Sequence, residues 1–233
     1  MIKVVYAADL FRRPLLAASM FRDRAAQFHD RLGWDVELDD KGLEFDRYDA
    51  HNPLYVIIED EEGGHVGSGR LMPTTGPTMI ADHFQDLTGG VQFQSPLIWE
   101  STRFCVSPRL TTNPMKVSSA LLWAGADIAL RAGVEFYVGV FAAPMLRVYK
   151  ACGWTPEVLG SRMTDDGEIC GGLWEVTEEA RDTLARRARL ADDAGLDFFP
   201  TRDRFPFLSR APISAGLPHA LAGAAFEPCA LAS

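Results

Sequence analysis

"PLIWESTRFCVS", residues 96–107, is the stretch on which the reading of the fold turns. Its length and its β-branched and aromatic content are those of a central strand, yet Glu100 and Arg103 stand inside it. Charges in a buried strand are costly unless paired or used, so the strand carries either a structural ion-pair network or part of an active site. In a flat strand the odd separation sends the two side chains to opposite faces. Either a bulge brings them together or they serve the two sides of the sheet.

Outward from this strand, helix and strand patterns alternate. "NPMKVSSALLWAGADIALRAG" (113–133) reads as a helix with Pro114 near its start and Gly133 after its end, and "VEFYVGVFA" (134–142) as the next strand. A short helix follows in "PMLRVYKACG" (144–153), then strands around 157–163 and 168–176. A charged helix in 177–195 has a Thr177 cap and an acidic first turn. Upstream, "KVVY" (3–6) is a strand, Pro14 opens a helix running towards Gly33, and residues 54–60 and 65–73 form a hairpin around "EEGG". This order implies one α/β sandwich with a central sheet. Residues 1–195 make that domain, and 196–233, with Pro200, Pro206, Pro212, Pro218 and Pro228, read as an irregular proline-rich extension.

A chain of 233 residues with 47% hydrophobic content is long enough for one large core. The formal charge of −9 argues against broad nucleic-acid or anionic-membrane binding, because both require dense positive potential. Cys105, Cys152, Cys170 and Cys229 form no CxxC pair, which suits free thiols in a reducing cytoplasm. Asp9, Arg12, Arg13 and Pro14 interrupt any signal-peptide core, and no apolar run reaches the length of a membrane span. Nothing has the ligand spacing of a metal site. The glycines of "GGHVGSGR" suit a hairpin better than a nucleotide loop, and Ser101 has no His and Asp partners in the order of a hydrolase triad.

The remaining charges gather near the same strand. In "FRDRAAQFHDRLGWDV" (21–36), Phe21, Ala25, Phe28 and Leu32 share one helix face, with Arg24 and Arg31 at its edge. The arginines either snorkel past the core or serve a site. "LEFDRYDAHNPLYVI" (43–57) places Asp46 and Asp49 before a hydrophobic strand, and "GSGRLMPTTGP" (67–77) places Arg70 near the end of the next.

Taken in order, Arg24, Phe28, Trp34, the "EFDRYD" acids Asp46 and Asp49, Arg70 in "GRLMPT", Phe84, and Glu100 with Arg103 in "ESTRF" resemble the acyl-homoserine-lactone synthases of quorum sensing. The resemblance runs through roughly residues 5–175. It implies an N-acetyltransferase-like three-layer sandwich with a splayed mixed central sheet. It further implies an acyltransferase that makes N-acyl-L-homoserine lactone signals from S-adenosylmethionine and an acyl-acyl-carrier-protein, or acyl-CoA, releasing methylthioadenosine. S-adenosylmethionine is then a substrate, and no cofactor is needed.

Residue by residue, the resemblance places Arg24, Phe28, Trp34, Asp46, Asp49, Arg70 and Arg103 at the S-adenosylmethionine pocket. Glu100 becomes the base, with Arg103 in the catalytic set. Met79, Phe84, Leu97, Gly139, Phe141, Met145 and Leu146 line the acyl chain. Gly139 has no hydroxyl to meet a 3-oxo group, which favours an unsubstituted medium or long chain; its plain alternative is close backbone packing. Arg147 and Lys150 would dock the acidic carrier protein, with Arg131 and Arg162 as further candidates, or they belong to a solvated helix face. Two other functions stay open: a general N-acyltransferase using acyl-CoA and another amine, and a non-catalytic binding module of the same fold.

Overall fold

The computed structural model describes residues 1–191 and 194–199. Its elements run β1 (Ile2–Tyr6), α1 (Ala7–Leu10), α2 (Pro14–Ala25), β2 (Leu54–Glu59), β3 (His65–Pro73), α3 (Met79–His83), β4 (Ile98–Val106), α4 (Pro114–Ala132), β5 (Phe136–Ala142), α5 (Met145–Cys152), β6 (Glu157–Thr164), β7 (Gly167–Glu175), α6 (Glu178–Ala188) and β8 (Leu196–Phe199). The strands form one sheet in the order β6-β7-β5-β4-β3-β2-β1-β8. Pairing is antiparallel except between β4 and β5 and between β1 and β8, so the sheet is mixed.

Alternation along the strands builds three layers. Val4 and Val56 join the cluster that packs under α4 and α6, whereas Val5, Tyr55 and Ile57 face the other way, against Leu16, Met20 and Phe21 of α2. Both arms of the sequence pattern are capped as their residues demand. Asn113 accepts a hydrogen bond from the Met115 amide and Thr177 one from Ala180, while Gly133 ends α4 in the left-handed region at φ 70°. Helix α2 is tied to β3 by polar groups. Ser19 Oγ accepts the His65 amide, His65 Nδ1 meets Asp23 Oδ2 at 2.8 Å, and Nε2 meets Ser68 Oγ at 3.0 Å.

The middle of the sheet opens. Strand β4 pairs with β5 only from Ile98 to Glu100; beyond that, β4 follows β3 to Val106 and β5 follows β7 to Ala142. Gly139 stands at this parting. A Cβ there would lie 2.6 Å from the Ser101 carbonyl oxygen, so the close approach of the two backbones needs a glycine.

Strand β4 also carries a bulge. Ser68 lies opposite Cys105 and Arg70 opposite Thr102, so β3 advances two residues while β4 uses three. The extra residue is absorbed where Arg103 takes a left-handed φ of 52°. That resolves the parity question. Glu100 and Thr102 share a face with Arg70, and the bulge turns Arg103 to that face as well.

Two elements differ from the sequence reading. The helix opened by Pro14 is α-helical only to Ala25 and continues as a π-helical segment, Ala26–Arg31. The wider turn breaks the 3.6-residue phase, and Arg31 ends up exposed while Arg24 is fully buried. At the other end, Leu196–Phe199 joins the sheet as β8, parallel to β1, four residues past the boundary expected at 195. The rest of the expected extension, with Cys229, lies outside the described residues. Cys105, Cys152 and Cys170 are free and buried. Among the described residues, no helix is long and apolar enough to cross a membrane.

Candidate active site

Three arginines and three carboxylates interlock beneath α2. Arg24 donates through Nε to Glu44 and through both terminal nitrogens to Asp49, at 3.1 and 2.9 Å. Arg70 reaches Asp46 Oδ2 at 2.9 Å, Asp49 Oδ1 at 2.8 Å and Thr102 Oγ1 at 3.0 Å. Arg103 donates to Glu44 Oε1 at 3.0 Å and pairs with Asp46 Oδ2 at 2.8 Å. Asp49 also accepts the Tyr55 hydroxyl. Charges cancel within the set, and each guanidinium bridges two acids. That satisfaction is what makes the burial of Arg24, Arg70 and Glu44, and the partial burial of the other three, tolerable.

The acids are held by local structure. Asp46 caps the 3-10 turn Arg47–His51, accepting from the Tyr48 and Asp49 amides, while the Asp49 side chain accepts the Asp46 amide in return. Burial by itself would raise the Asp49 carboxyl, but Arg24 and Arg70 outweigh it and hold the group far below the usual carboxylate range. Asp46 is lowered in the same way, burial being overcome chiefly by Arg70 and Arg103. The turn is also clasped to α3. Asp82 accepts from Arg47 at 2.6 Å and from the Tyr48 hydroxyl at 2.8 Å.

Glu100 is the exception among the acids, because no arginine contacts it. Its carboxylate is fully buried and accepts the Met79 amide at 3.1 Å and the Ile80 amide at 2.6 Å, at the start of α3. Burial raises its pKa to about 6 against those two backbone donors. Two donors leave part of its acceptor capacity unused. A carboxylate with a pKa near 6 is ionised yet basic at neutral pH.

A cavity of about 880 Å³ opens where β4 and β5 part. One end meets the charged set through Asp46 and Arg103, with Phe28 and Trp34 as aromatic walls. Those rings stack 5.4 Å apart and 8° from parallel, and the Arg103 guanidinium lies 5.3 Å from the Phe28 centroid. The other end runs between the sheet and α4 and is apolar, with Leu121, Tyr137, Phe141 and Trp154 in its walls.

The expected site residues therefore separate into three groups. Phe28, Trp34, Asp46, Arg103, Met79, Phe84, Phe141 and Met145 line the cavity. Arg24, Asp49 and Arg70 stand behind it as the frame that fixes Asp46 and Arg103. Leu97, Gly139, Leu146 and Glu100 are outside the lining: Leu97 is 42% exposed, and Gly139 sits at the backbone contact with Ser101. Glu44 was missed by the sequence reading, although an acid between Leu43 and Phe45 just before "DRYD" was a usable signal. Asp23, His65 and Ser68 have the order of contacts of a nucleophile triad, and these contacts fasten α2 to β3.

Arg147 and Lys150 are both exposed on α5, which begins beside the cavity residues Pro144 and Met145. Lys116 is exposed at the near end of α4, where Met115 touches Cys152 of α5. Arg131 is not part of this surface. Arg131 pairs with Asp127 some 16 residues along α4 from Met115, about 24 Å away at the helical rise. Arg162 pairs with Asp86 and covers the Phe84 ring.

Comparison with known proteins gives this geometry its context. The family model described as autoinducer synthase matches residues 10–183. An acyl-homoserine-lactone synthase of Rhizobium etli is 42% identical over 182 residues, spanning 75% of this chain and 84% of that one. Among solved structures, a CoA-dependent acyl-homoserine lactone synthase, MesI, superposes with a TM-score of 0.73 at 29% identity, covering 84% of this chain and 98% of that one. TofI, solved in a ternary complex with an inhibitor and MTA, gives a TM-score of 0.64 at 25% identity, covering 72% of this chain and 88% of that one.

Proposed function

The chain belongs to the autoinducer synthase family and is an acyl-homoserine-lactone synthase, and from that premise we propose that it acylates the amine of S-adenosylmethionine with a chain delivered by acyl carrier protein. The observation that carries this reading is a single cavity with two chemically unlike ends meeting at the parting of β4 and β5. A sulfonium with an aromatic base suits the Phe28–Trp34 stack. Its carboxylate suits Arg103, whose bonds to Glu44 and Asp46 use Nε and Nη2 and engage Nη1 with none of these acids. The acyl chain suits the apolar end. In this reading the enzyme works in the cytoplasm, where buried thiols stay reduced.

Chemistry then proceeds in two steps. The neutral α-amine attacks the thioester carbonyl, Glu100, which stands behind the cavity lining, takes the amine proton through water, the C–S bond breaks, and that proton passes to the sulfur so that the carrier leaves as a thiol. A backbone N–H beside the parting strands stabilises the oxyanion. Next, the methionine carboxylate oxygen attacks its own γ-carbon, the C–S⁺ bond breaks, and neutral methylthioadenosine departs. Holding the chain bent supplies proximity, so this step requires positioning more than another acid or base.

The purified protein should release methylthioadenosine only when S-adenosylmethionine and an acyl thioester are both present, with the lactone identified by mass spectrometry. No lactone from donors of four to fourteen carbons would sink the assignment. Because MesI is CoA-dependent, acyl-CoA is the second reading of the donor. The exposed cations on α5 favour the carrier protein, whose surface is acidic. Reversing Arg147 and Lys150 to Glu should raise the Michaelis constant for the protein-bound donor about ten-fold or more and leave acyl-CoA nearly unchanged. Equal changes for both donors count against docking on α5.

A further inference from the structure

We infer that Gly125 of α4 sets the length of acyl chain this enzyme accepts, by leaving open the far end of the apolar arm of the cavity. The inference rests on the acyl-chain reading of that arm. Gly125 lies in the middle of a 19-residue helix, where a glycine weakens the helix relative to alanine. Buried helical glycines are commonly explained by a neighbour that approaches too closely for a side chain. Here no such neighbour exists among the described residues: a Cβ built on Gly125 meets nothing within 4 Å outside its own helix, and its φ is an ordinary helical one.

Buried position and open surroundings are reconciled only by an internal space. Gly125 is buried, yet it lines the cavity beside Leu121, Leu122 and Tyr137. Its carbonyl oxygen accepts the Tyr137 hydroxyl at 2.9 Å, which fixes the opposite wall. The missing side chain is therefore volume donated to the cavity rather than room for packing. Gly139, at the parting of β4 and β5, is the reverse case, because its Cβ would run into the Ser101 carbonyl, whereas Gly69 of β3 lines the cavity with surroundings as open as those of Gly125.

The chemistry of specificity follows from that volume. Each methylene of an acyl chain that reaches an apolar wall is worth about four-fold in affinity, and each one that no longer fits forfeits that gain and adds overlap. Leucine at position 125 brings a four-carbon side chain into the arm, so the preferred donor should shorten by roughly four carbons. Alanine adds one carbon and favours the helix, so it tests the same wall with no cost in folding.

The experiment compares wild type, Gly125→Ala and Gly125→Leu on unsubstituted acyl donors of four to fourteen carbons, measuring lactone by mass spectrometry and methylthioadenosine release. For Gly125→Leu, the ratio of turnover on the longest accepted donor to that on the shortest should fall at least ten-fold. For Gly125→Ala, the ratio of longest to shortest accepted donor should fall about four-fold. Unchanged chain-length profiles in Gly125→Ala overturn the inference even if Gly125→Leu does not fold. No lactone from wild type with any donor would instead mean that the functional reading itself is at fault.

Discussion

Replacement of Glu100 by Gln slows acylation by about 10² to 10⁴ while S-adenosylmethionine still binds. The expectation rests on where the carboxylate is and on what surrounds it. It is fully buried, it contacts no arginine, and burial lifts its pKa to about 6, so the ionised form present at neutral pH is a competent base. In wild type, kcat/KM should fall as pH drops below about 6 and the carboxylate takes up its proton. That acidic limb should vanish in the variant. Glu100 also holds the Met79 and Ile80 amides, and a Gln has only one oxygen to serve both. If anchoring of α3 were its whole contribution, the change would appear in the Michaelis constant for the acyl donor, since Met79 and Phe84 line the cavity. A near-normal turnover with the acidic limb intact would show that another group takes the proton.

Loss of Arg70 should be felt in folding before it is felt in catalysis. Arg70→Met leaves the largely buried Asp46 and Asp49 with one guanidinium fewer, and breaking a buried ion pair from one side costs about 3–5 kcal/mol. The pH dependence has a definite sign. Both carboxyls lie below their ordinary range in the folded protein, so they add stability above the unfolded carboxylate pKa and lose it as pH falls through the folded one. The variant gives up that contribution. Its deficit against wild type in urea unfolding should be largest near pH 7 and narrow below about pH 4. A deficit under about 1 kcal/mol at pH 7, or one that widens on acidification, is incompatible with the network described.

The residues that declared themselves in the sequence did so through local pattern. Pro114, Gly133 and Thr177 mark helix ends because capping is a short-range requirement, and the "EEGG" turn fixes its hairpin for the same reason. Arg24, Asp46, Asp49, Arg70 and Arg103 were legible as costly charges near apolar segments. Their wiring was not. Which face Arg103 takes depends on a register shift between β3 and β4, which no pattern within "ESTRF" records. A uniform 100° per residue puts Arg24 and Arg31 alike at the edge of one helix face, and the π-helical turn separates them. The family resemblance puts Leu97 and Gly139 at an acyl pocket, but its walls are set by the parting of two strands distant in sequence, and neither residue is in the lining. Strand β8 was unreadable for a related reason: four residues, "LDFF", gain strand character only from pairing with β1.

That last pairing bears on how the chain comes into being. Strand β1 leaves the ribosome well before its neighbour β8, from which almost the whole domain separates it; Lys3 and Asp197, which pair across the edge, are 194 residues apart. At the pace of synthesis, about 5–20 residues per second, the outer side of β1 waits on the order of ten seconds or more for its partner. During that interval, β2 already covers one side of β1 and the other is an unpaired edge. The nascent protein is therefore most exposed to edge-to-edge association late in its own synthesis, when nearly everything except "LDFF" is in place. Lys3, pointing a charge along that edge, guards it until Asp197 arrives.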